Sequence, residues 1–346
     1  MRKVLIVTDA WHPQINGVVR SLTEIGKQAE EFGFAVEYLT PRGFHSIAMP
    51  GYAEIRLALA TPAQIAQEIE RAAPDCIHIA TEGPLGLLAR RYCLKRGRKF
   101  TTSYHTRFPE YLSARLPVPS WPVAALMRLF HGAAAATMVS TQSLEDDLRA
   151  QGYGNLLRWS RGVDASLFHP GKAVRLPFTR PVFLYAGRVA VEKNIEAFLS
   201  LDLPGTKLIV GDGPERTALE ASYPEAHFAG AQEGEALARY FASADAFVFP
   251  SLTDTFGVVL LEALASGVPV AAFPVAGPRD VIGASNAGAL DRDLRRAALA
   301  ALDIPRERCR NHALQFSWRE SARQFFGNLL LANGMGALHE NPQEAA

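Results

Sequence analysis

The feature that most constrains the fold is the alternation of short apolar runs with helical patterns along the chain. In the first half, apolar runs predict buried strands at 4–8, 76–80, 99–104 and 136–140. Helical patterns between them cover 18–32, 63–73, 84–95 and 123–133. Strand–helix–strand repetition of this kind predicts a parallel sheet covered by helices, because right-handed crossovers return each helix to the sheet.

The pattern pauses in a segment rich in proline and glycine and then starts again. Pro170, Gly171, Pro177 and Pro181 mark this break, which we interpret as a linker at 166–181. Beyond it, strands are predicted at 182–186, 207–210, 246–250 and 268–273, and helices at 194–201, 234–243, 258–265 and 291–301. We therefore predict an α/β protein with two Rossmann-like, doubly wound domains at 1–165 and 182–317 that face each other across a cleft, and a closing helix in 318–346.

Composition restricts the class of protein. The formal net charge of +1 argues against a nucleic-acid-binding protein that relies on bulk electrostatics. The three cysteines, Cys76, Cys93 and Cys309, are far apart and offer neither a disulfide framework nor a metal site. The apolar run near the start ends at Asp9 and Pro13, short of a signal-peptide core. These observations predict a cytoplasmic protein.

Two loops that follow predicted strands of the first half are candidate functional segments, since ligands of open α/β sheets bind beyond the carboxyl ends of the strands. Gly17 lies where the first loop enters a helix, and a glycine there lets backbone amides approach an anion. A glycine that only relieves a tight turn fits this segment equally well. His105 follows the third strand among several polar residues, which favours a functional role about as much as a structural one.

The loop after the first strand of the second half carries two cations. Arg188 and Lys193 lie five residues apart, where a helix is predicted to begin. Cations are unfavourable at a helix N-terminus, so we expect an anion to offset them. A diphosphate fits, because Arg188 can bind oxygens bidentately and Lys193 adds a point charge. The alternative is a solvated basic turn.

Two carboxylates stand out farther along. Asp254 lies at a loop–helix junction, where it could bind a ligand or simply cap the helix. Glu262 lies in the apolar helical sequence VVLLEALA, where an unsatisfied carboxylate would be costly. Hydrogen bonds to a ribose diol would satisfy Glu262.

Together these segments resemble the pattern of glycosyltransferase family 4 within the GT-B fold, over essentially the whole chain. The resemblance rests on NGVV at 16–19, SYHT at 103–106, RGVD at 161–164, GR at 187–188 with EKN at 192–194, GDGP at 211–214, and Asp254 with Glu262. Each motif is short, but six in the same order make a specific signal. The resemblance implies a metal-independent, retaining hexosyltransferase without a cofactor, whose second domain binds a UDP- or GDP-linked sugar.

The resemblance also implies roles for individual residues. Arg188 and Lys193 would hold the donor diphosphate, and Glu262 the ribose hydroxyls. His105 would lie beside the transferred sugar as a catalytic residue with Asp254. Donor contacts would also come from Gly17 and from the backbone amides of Phe256, Gly257 and Val258. Position 254 is Asp where many members have Glu, which makes its role less certain than that of Glu262.

The motifs SYHTRFPEY at 103–111 and TDTFG at 253–257 are similar to those of a subgroup that glycosylates lipids. This subgroup includes sulfoquinovosyl-diacylglycerol synthases and GDP-mannose-dependent α-mannosyltransferases. A membrane lipid such as diacylglycerol is therefore the expected acceptor. Six cations within 90–99 and an aromatic, proline-broken segment at 111–123 favour peripheral docking on an anionic membrane surface, at the inner face of the cytoplasmic membrane.

Other classes of protein remain open to different degrees. A nucleotide-dependent dehydrogenase is disfavoured because Arg216 occupies the third glycine position of its fingerprint. A transferase acting on a soluble or polyprenyl-linked glycan, a GT-B-fold epimerase or phosphorylase, and a non-catalytic sugar-nucleotide-binding protein share the same architecture. The D-x-D sequence at Asp291 and Asp293 could suggest a metal, but we interpret Asp291 as a helix N-cap and Asp293 as part of the first turn.

Overall fold

The computed structural model describes residues 1–14, 16–49, 52–107 and 120–338. The chain divides into two compact units. Unit 1 comprises Met1–Ser160 and the chain from Trp318 onward, and unit 2 comprises Arg161–Ser317. Each unit contains its own six-stranded sheet. The predicted α/β class, with one doubly wound sheet in each of two units, is confirmed.

Unit 1 is built on a parallel sheet. Its strands and those of a separate hairpin are β1 (Arg2–Val7), β2 (Phe34–Leu39), β3 (Ser46–Met49), β4 (Tyr52–Ala58), β5 (Cys76–Ile79), β6 (Thr101–Ser103), β7 (Ala136–Val139) and β8 (Leu156–Arg158). Its helices in this stretch are α1 (Gly17–Lys27), α2 (Pro62–Ala72), α3 (Pro84–Lys95), α4 (Ser120–Gly132) and α5 (Gln142–Ala150). The hairpin strands β3 and β4 pair antiparallel. The sheet order is β2-β1-β5-β6-β7-β8. The chain adds strands on one side of β1 and then, from β5 onward, on its other side, while all strands of the sheet stay parallel. Ligand sites are expected at that reversal.

Unit 2 has a second parallel sheet. Its strands are β9 (Val182–Ala186), β10 (Thr206–Val210), β11 (His227–Phe228), β12 (Ala246–Phe249), β13 (Val270–Ala272) and β14 (Gly288–Leu290). Its helices are α6 (Glu196–Leu199), α7 (Arg216–Ser222), α8 (Gly234–Ser243), α9 (Val258–Ala265), α10 (Ala276–Ile282), α11 (Leu294–Ala301) and α12 (Arg306–Ala313). The order β11-β10-β9-β12-β13-β14 is that of dinucleotide-binding folds. The order of strand addition reverses between the parallel strands β9 and β12, which precede Arg188 and Asp254.

The last helix, α13 (Trp318–Asn333), returns to unit 1. Its apolar face is buried against the core of that sheet, where the rings of Phe326 and Phe34 stack with centroids 4.6 Å apart. Trp159 donates a hydrogen bond to Ser321 Oγ at 3.1 Å. Burial of this face explains why the closing helical pattern is strongly apolar on one side.

The segment predicted as a linker, 166–181, lies inside unit 2. Phe168 is fully buried in its core, and Leu176 and Phe178 pack against the same cluster. The proline-rich stretch thus contributes packing to unit 2, and its irregular backbone explains why it interrupts the strand–helix pattern.

Local sequence explains several helix ends. Thr61 and Gln64 form a reciprocal capping box at the start of α2. For the D-x-D sequence, the predicted cap is wrong by two residues. Asp293, not Asp291, is the N-cap of α11, and it accepts from the amides of Arg295 and Arg296. Asp291 lies before the cap and accepts from the Asp293 amide at 2.9 Å.

The three cysteines are free and buried. Burial raises the pKa of each thiol to about 11. None of the helices in the described ranges is both long and apolar enough to cross a bilayer.

Candidate functional site

The loop after β9 is held in place by a buried tyrosine. The Tyr185 hydroxyl donates a hydrogen bond of 2.7 Å to the backbone oxygen of Arg188. Burial raises the pKa of Tyr185 well above its ordinary value, and the carboxylates of Asp254 and Glu192 add to the rise. The hydroxyl therefore stays protonated and remains a donor, which fixes the backbone that carries the half-buried Arg188 side chain.

The backbone of the GDGP motif at 211–214 packs directly against the same loop. The Val189 amide donates to the backbone oxygen of Asp212 at 2.9 Å. A Cβ atom at Gly211 would lie 1.8 Å from the oxygen of Gly187, and one at Gly213 would lie 2.3 Å from that of Val189. Both glycines also have φ above +150°. Glycine is required at both positions because the two backbones cross in direct contact.

Lys193 binds Asp254. Its Nζ lies 2.6 and 2.9 Å from the two carboxylate oxygens, and the two side chains are 25% and 23% exposed. The predicted helix start at this position is wrong. Residues Val191–Lys193 form a 3-10 turn, Asn194 has φ +53°, and α6 has four residues. The Asp254 carboxylate therefore offsets the charge of Lys193.

The loop after β12 is tied to the loop after β9. The Asn194 side chain donates to the backbone oxygen of Pro250 at 3.0 Å. Ser251 is fully buried, and its Oγ has no hydrogen-bond partner among the described residues. A Cβ atom at Gly277 would lie 2.9 Å from the backbone oxygen of Asp254, so α10 packs closely beneath this loop. Sequence reasoning missed both contacts, Asn194 with Pro250 and Gly277 with Asp254, because each joins residues distant in the chain.

Helix α9 begins after Gly257, which has φ +82° and is the N-cap residue without a side-chain cap. Asp254 is therefore not the cap of this helix. Phe256 packs in the core of unit 2, while Val258 is half-buried. Glu262 is 3% exposed among fully buried apolar neighbours, as the sequence predicts. The roles of these residues toward a donor stay predictions.

In unit 1, Gly17 is the first residue of α1. The Asn16 side chain accepts from the amides of Val18 and Val19 at 3.0 Å, so these two donors are already engaged. His105 follows β6, is half-buried, and its ring centroid lies 5.7 Å from that of Trp159. Because β1 and β6 are parallel strands of one sheet, Gly17 and His105 lie at the same edge.

The structure thus brings Arg188, Lys193 and Asp254 together at the reversal point of the unit 2 sheet. Gly17 and His105 occupy the corresponding edge of unit 1. In the part of the chain that the structure describes, no three His, Cys, Asp or Glu side chains are grouped so as to hold a metal ion. Basic and acidic side chains beside a nucleotide-binding type of sheet are suited to a phosphorylated, hydroxyl-rich ligand.

Comparison with known proteins agrees with this geometry. Residues 15–167 match the family described as Glycosyltransferase Family 4, and residues 180–303 match Glycosyl transferases group 1. The chain is 33% identical to the sulfoquinovosyl transferase of Arabidopsis thaliana over 76% of its own length, but it spans 56% of that protein. It is 30% identical to a GDP-mannose-dependent alpha-mannosyltransferase of Mycobacterium tuberculosis, over 83% of both chains.

Solved structures show the same architecture. The sucrose-phosphate synthase of Thermosynechococcus elongatus superposes with a TM-score of 0.75 at 19% identity, covering 94% of this chain and 98% of that one. The fold and the site therefore define a glycosyltransferase with the GT-B fold. More specifically, the chain belongs to glycosyltransferase family 4.

Proposed function

We propose that this glycosyltransferase is a retaining enzyme that moves a hexosyl or uronosyl group from a UDP- or GDP-linked sugar to a membrane lipid such as diacylglycerol. The observation that carries the donor half is the cluster of Arg188, Lys193 and Asp254 between β9 and β12. It combines two cations for a diphosphate with a carboxylate for sugar hydroxyls. A relative named for its dependence on GDP-mannose supports a nucleotide-sugar donor, and a relative named as a phosphatidylinositol dimannoside mannosyltransferase supports a lipid-related acceptor.

The acceptor half is supported by the surface of unit 1. Helix α4 exposes Trp121 by 72%, Leu126 by 56% and Leu129 by 66%, whereas Met127 and Phe130 are buried. Leu126 and Leu129 lie three residues apart and Trp121 lies eight residues before Leu129, so all three side chains fall on the exposed side of the helix. An exposed tryptophan at the end of such a face suits the interface of a membrane.

Helix α3 adds positive charge beside α4. Arg90 donates to the backbone oxygens of Leu129 and Phe130 at 2.7 and 3.0 Å, which joins the two helices. Arg96 pairs with Glu70, and Arg98 donates to the backbone oxygen of Pro74. Half of the six predicted cations therefore have contacts within the protein. The exposed cations left to meet lipid phosphates are Arg91, Lys95 and Lys99.

We define the α3–α4 surface as the exposed side chains of Arg91, Lys95, Lys99, Trp121, Leu126 and Leu129. Apolar and basic groups together match an anionic lipid surface in both polarity and charge. Most of the aromatic segment predicted to contribute, 111–123, lies outside the described residues. Docking through this surface would place the enzyme at the inner face of the cytoplasmic membrane.

A screen of UDP- and GDP-linked sugars with a membrane lipid extract tests the proposal. We expect one nucleotide sugar to transfer its sugar into the organic phase, with release of the nucleoside diphosphate. Labelled sugar recovered only in a water-soluble glycan would instead support the soluble acceptor. Formation of a free sugar or of an epimerised sugar nucleotide, without transfer to any acceptor, would contradict the proposed function.

A further inference from the structure

A carboxylate that sequence reasoning did not consider lies at the reversal point of the unit 1 sheet. Glu82 belongs to the loop between β5 and α3, next to the loop that follows β1. Its Oε1 lies 3.0 Å from Nε2 of His131, and its side chain is 10% exposed. Since β5 and β6 are adjacent parallel strands, Glu82 and His105 follow neighbouring carboxyl ends.

His131 is fully buried and is fixed from its other side. Its Nδ1 lies 2.9 Å from Thr102 Oγ1, which lies 3.0 Å from Thr137 Oγ1. In the neutral ring, Nε2–H donates to the Glu82 carboxylate, so Nδ1 accepts from the Thr102 hydroxyl. Two threonines on adjacent strands thus set the ring orientation, and the ring holds one oxygen of Glu82.

The neighbouring carboxylate, Asp9, is occupied differently. Its oxygens accept from the amides of Leu85 and Gly86 at 2.9 and 3.3 Å and from the Thr81 hydroxyl at 3.0 Å. Burial raises the pKa of Asp9, those hydrogen bonds lower it, and the nearby Glu82 carboxylate raises it. Asp9 therefore anchors the start of α3. Both oxygens of Asp9 are thus engaged. In Glu82, by contrast, Oε1 is engaged by His131, and Oε2 forms no hydrogen bond to another described residue.

We propose that Glu82 binds the acceptor by accepting a hydrogen bond from an alcohol hydroxyl, and that His131 is the positioning residue for this contact. The acceptor class is a hydroxyl-bearing molecule such as a glycerol lipid. The inference rests on the proposed function, because it supplies the acceptor contact of that transferase. A carboxylate fixed by a buried ring presents its other oxygen in one direction, which selects where the acceptor hydroxyl lies.

The test compares Glu82→Gln with the surface control Glu70→Gln, using 1,2-dioctanoylglycerol as the acceptor probe. For Glu82→Gln we expect kcat/KM for the acceptor to fall at least about ten-fold, mainly through KM, because a hydrogen bond to a charged group is lost. Hydrolysis of the nucleotide sugar without acceptor and nucleoside diphosphate affinity should change less than about two-fold, because Glu82 is proposed to contact the acceptor and not the donor. Glu70→Gln should match the wild type in all three measurements.

His131 is tested by His131→Leu and the conservative His131→Gln, whose amide can still donate to Glu82. We expect acceptor KM to rise in His131→Leu and to recover in part in His131→Gln, with acceptor-free hydrolysis retained in both. Unchanged acceptor KM in Glu82→Gln, or hydrolysis that falls in parallel with transfer, overturns the inference. Failure of the proposed function is distinguishable, since it would show in the wild type as absence of lipid transfer.

Discussion

At the scale of single residues, the contact between Lys193 and Asp254 determines the charge that an incoming diphosphate meets. The ammonium group lies within 2.9 Å of both carboxylate oxygens, and neither side chain is fully buried. A partly exposed ion pair of this kind contributes about 1 kcal/mol. A diphosphate that binds Lys193 must therefore compete with Asp254 for the same ammonium group.

Replacing Asp254 by Asn should raise the affinity for nucleoside diphosphate about three- to ten-fold, because Lys193 loses its internal partner. Transfer should nevertheless fall, since Asp254 is predicted to contact the donor sugar. Calorimetric titration with UDP and GDP measures the affinity. In a Lys193→Met background the gain should disappear, and a gain that persists there would show that Asp254 acts through another group.

Arg188 should matter in a different way, because its backbone is fixed by Tyr185 and its side chain is predicted to grip the diphosphate. Replacing Arg188 by Ala should remove on the order of 2–4 kcal/mol of donor or transition-state stabilisation. The measurement is kcat/KM for the nucleotide sugar, with the exposed Arg308→Ala as the matched cation control in the same unit. Equal kinetics in both variants would contradict the assignment of Arg188 to the donor site.

At the scale of helices and strands, the sequence predicted the interior of each sheet and missed its edges. The eight predicted strands are β1, β5, β6, β7, β9, β10, β12 and β13, all of which are interior strands. The strands missed in these two sheets, β2, β8, β11 and β14, are their four edges, and the separate hairpin of β3 and β4 was missed as well. Interior parallel strands are buried on both faces and read as continuous apolar runs, whereas edge strands such as FAVEYL are half-exposed and lack that signal.

The candidate site was predictable to a similar extent. Arg188, Lys193 and Asp254 could be singled out because polar groups directly after buried strands point to a binding edge. Their pairing could not, because it depends on Asn194 leaving the helical conformation and on the Asn194–Pro250 contact across 56 positions. Glu82 was missed for the same reason, since its partner His131 is 49 positions away.

The α3–α4 surface yields a prediction at this scale. Wild-type protein should co-sediment with anionic vesicles, more strongly as the anionic lipid fraction rises and less strongly as salt is added. Changing Arg91, Lys95 and Lys99 to Ser should abolish binding, since each cation contributes about 1 kcal/mol near such a surface. Changing Trp121, Leu126 and Leu129 to Ser should weaken it even at low salt.

The matched control changes three exposed cations of unit 2, Arg239, Arg292 and Arg308, to Ser. These substitutions remove the same total charge and should leave vesicle binding unchanged. If the control loses binding equally, the attraction is a general charge effect and the α3–α4 surface has no special role. If wild-type protein does not co-sediment with anionic vesicles at low salt, the membrane proposal is wrong.

At the scale of the whole molecule, the predicted chemistry requires no metal ion. Arg188 and Lys193 are expected to neutralise the diphosphate that a divalent cation would otherwise bind. Transferase activity should therefore persist in EDTA and should not rise when Mg²⁺ or Mn²⁺ is added. Activity that is lost in EDTA and restored by either cation would contradict the metal-independent assignment.

The most direct test of the proposed function is the identity of the lipid product. Purified enzyme is incubated with the active nucleotide sugar and vesicles that contain diacylglycerol, and the extracted lipid is analysed by mass spectrometry and NMR. We predict a lipid heavier by one hexosyl or uronosyl residue, with the anomeric configuration of the donor retained and with much less of this product from Arg188→Ala. An inverted anomeric centre would contradict the retaining mechanism, and unmodified lipid with every UDP- and GDP-linked sugar would contradict the proposed lipid acceptor.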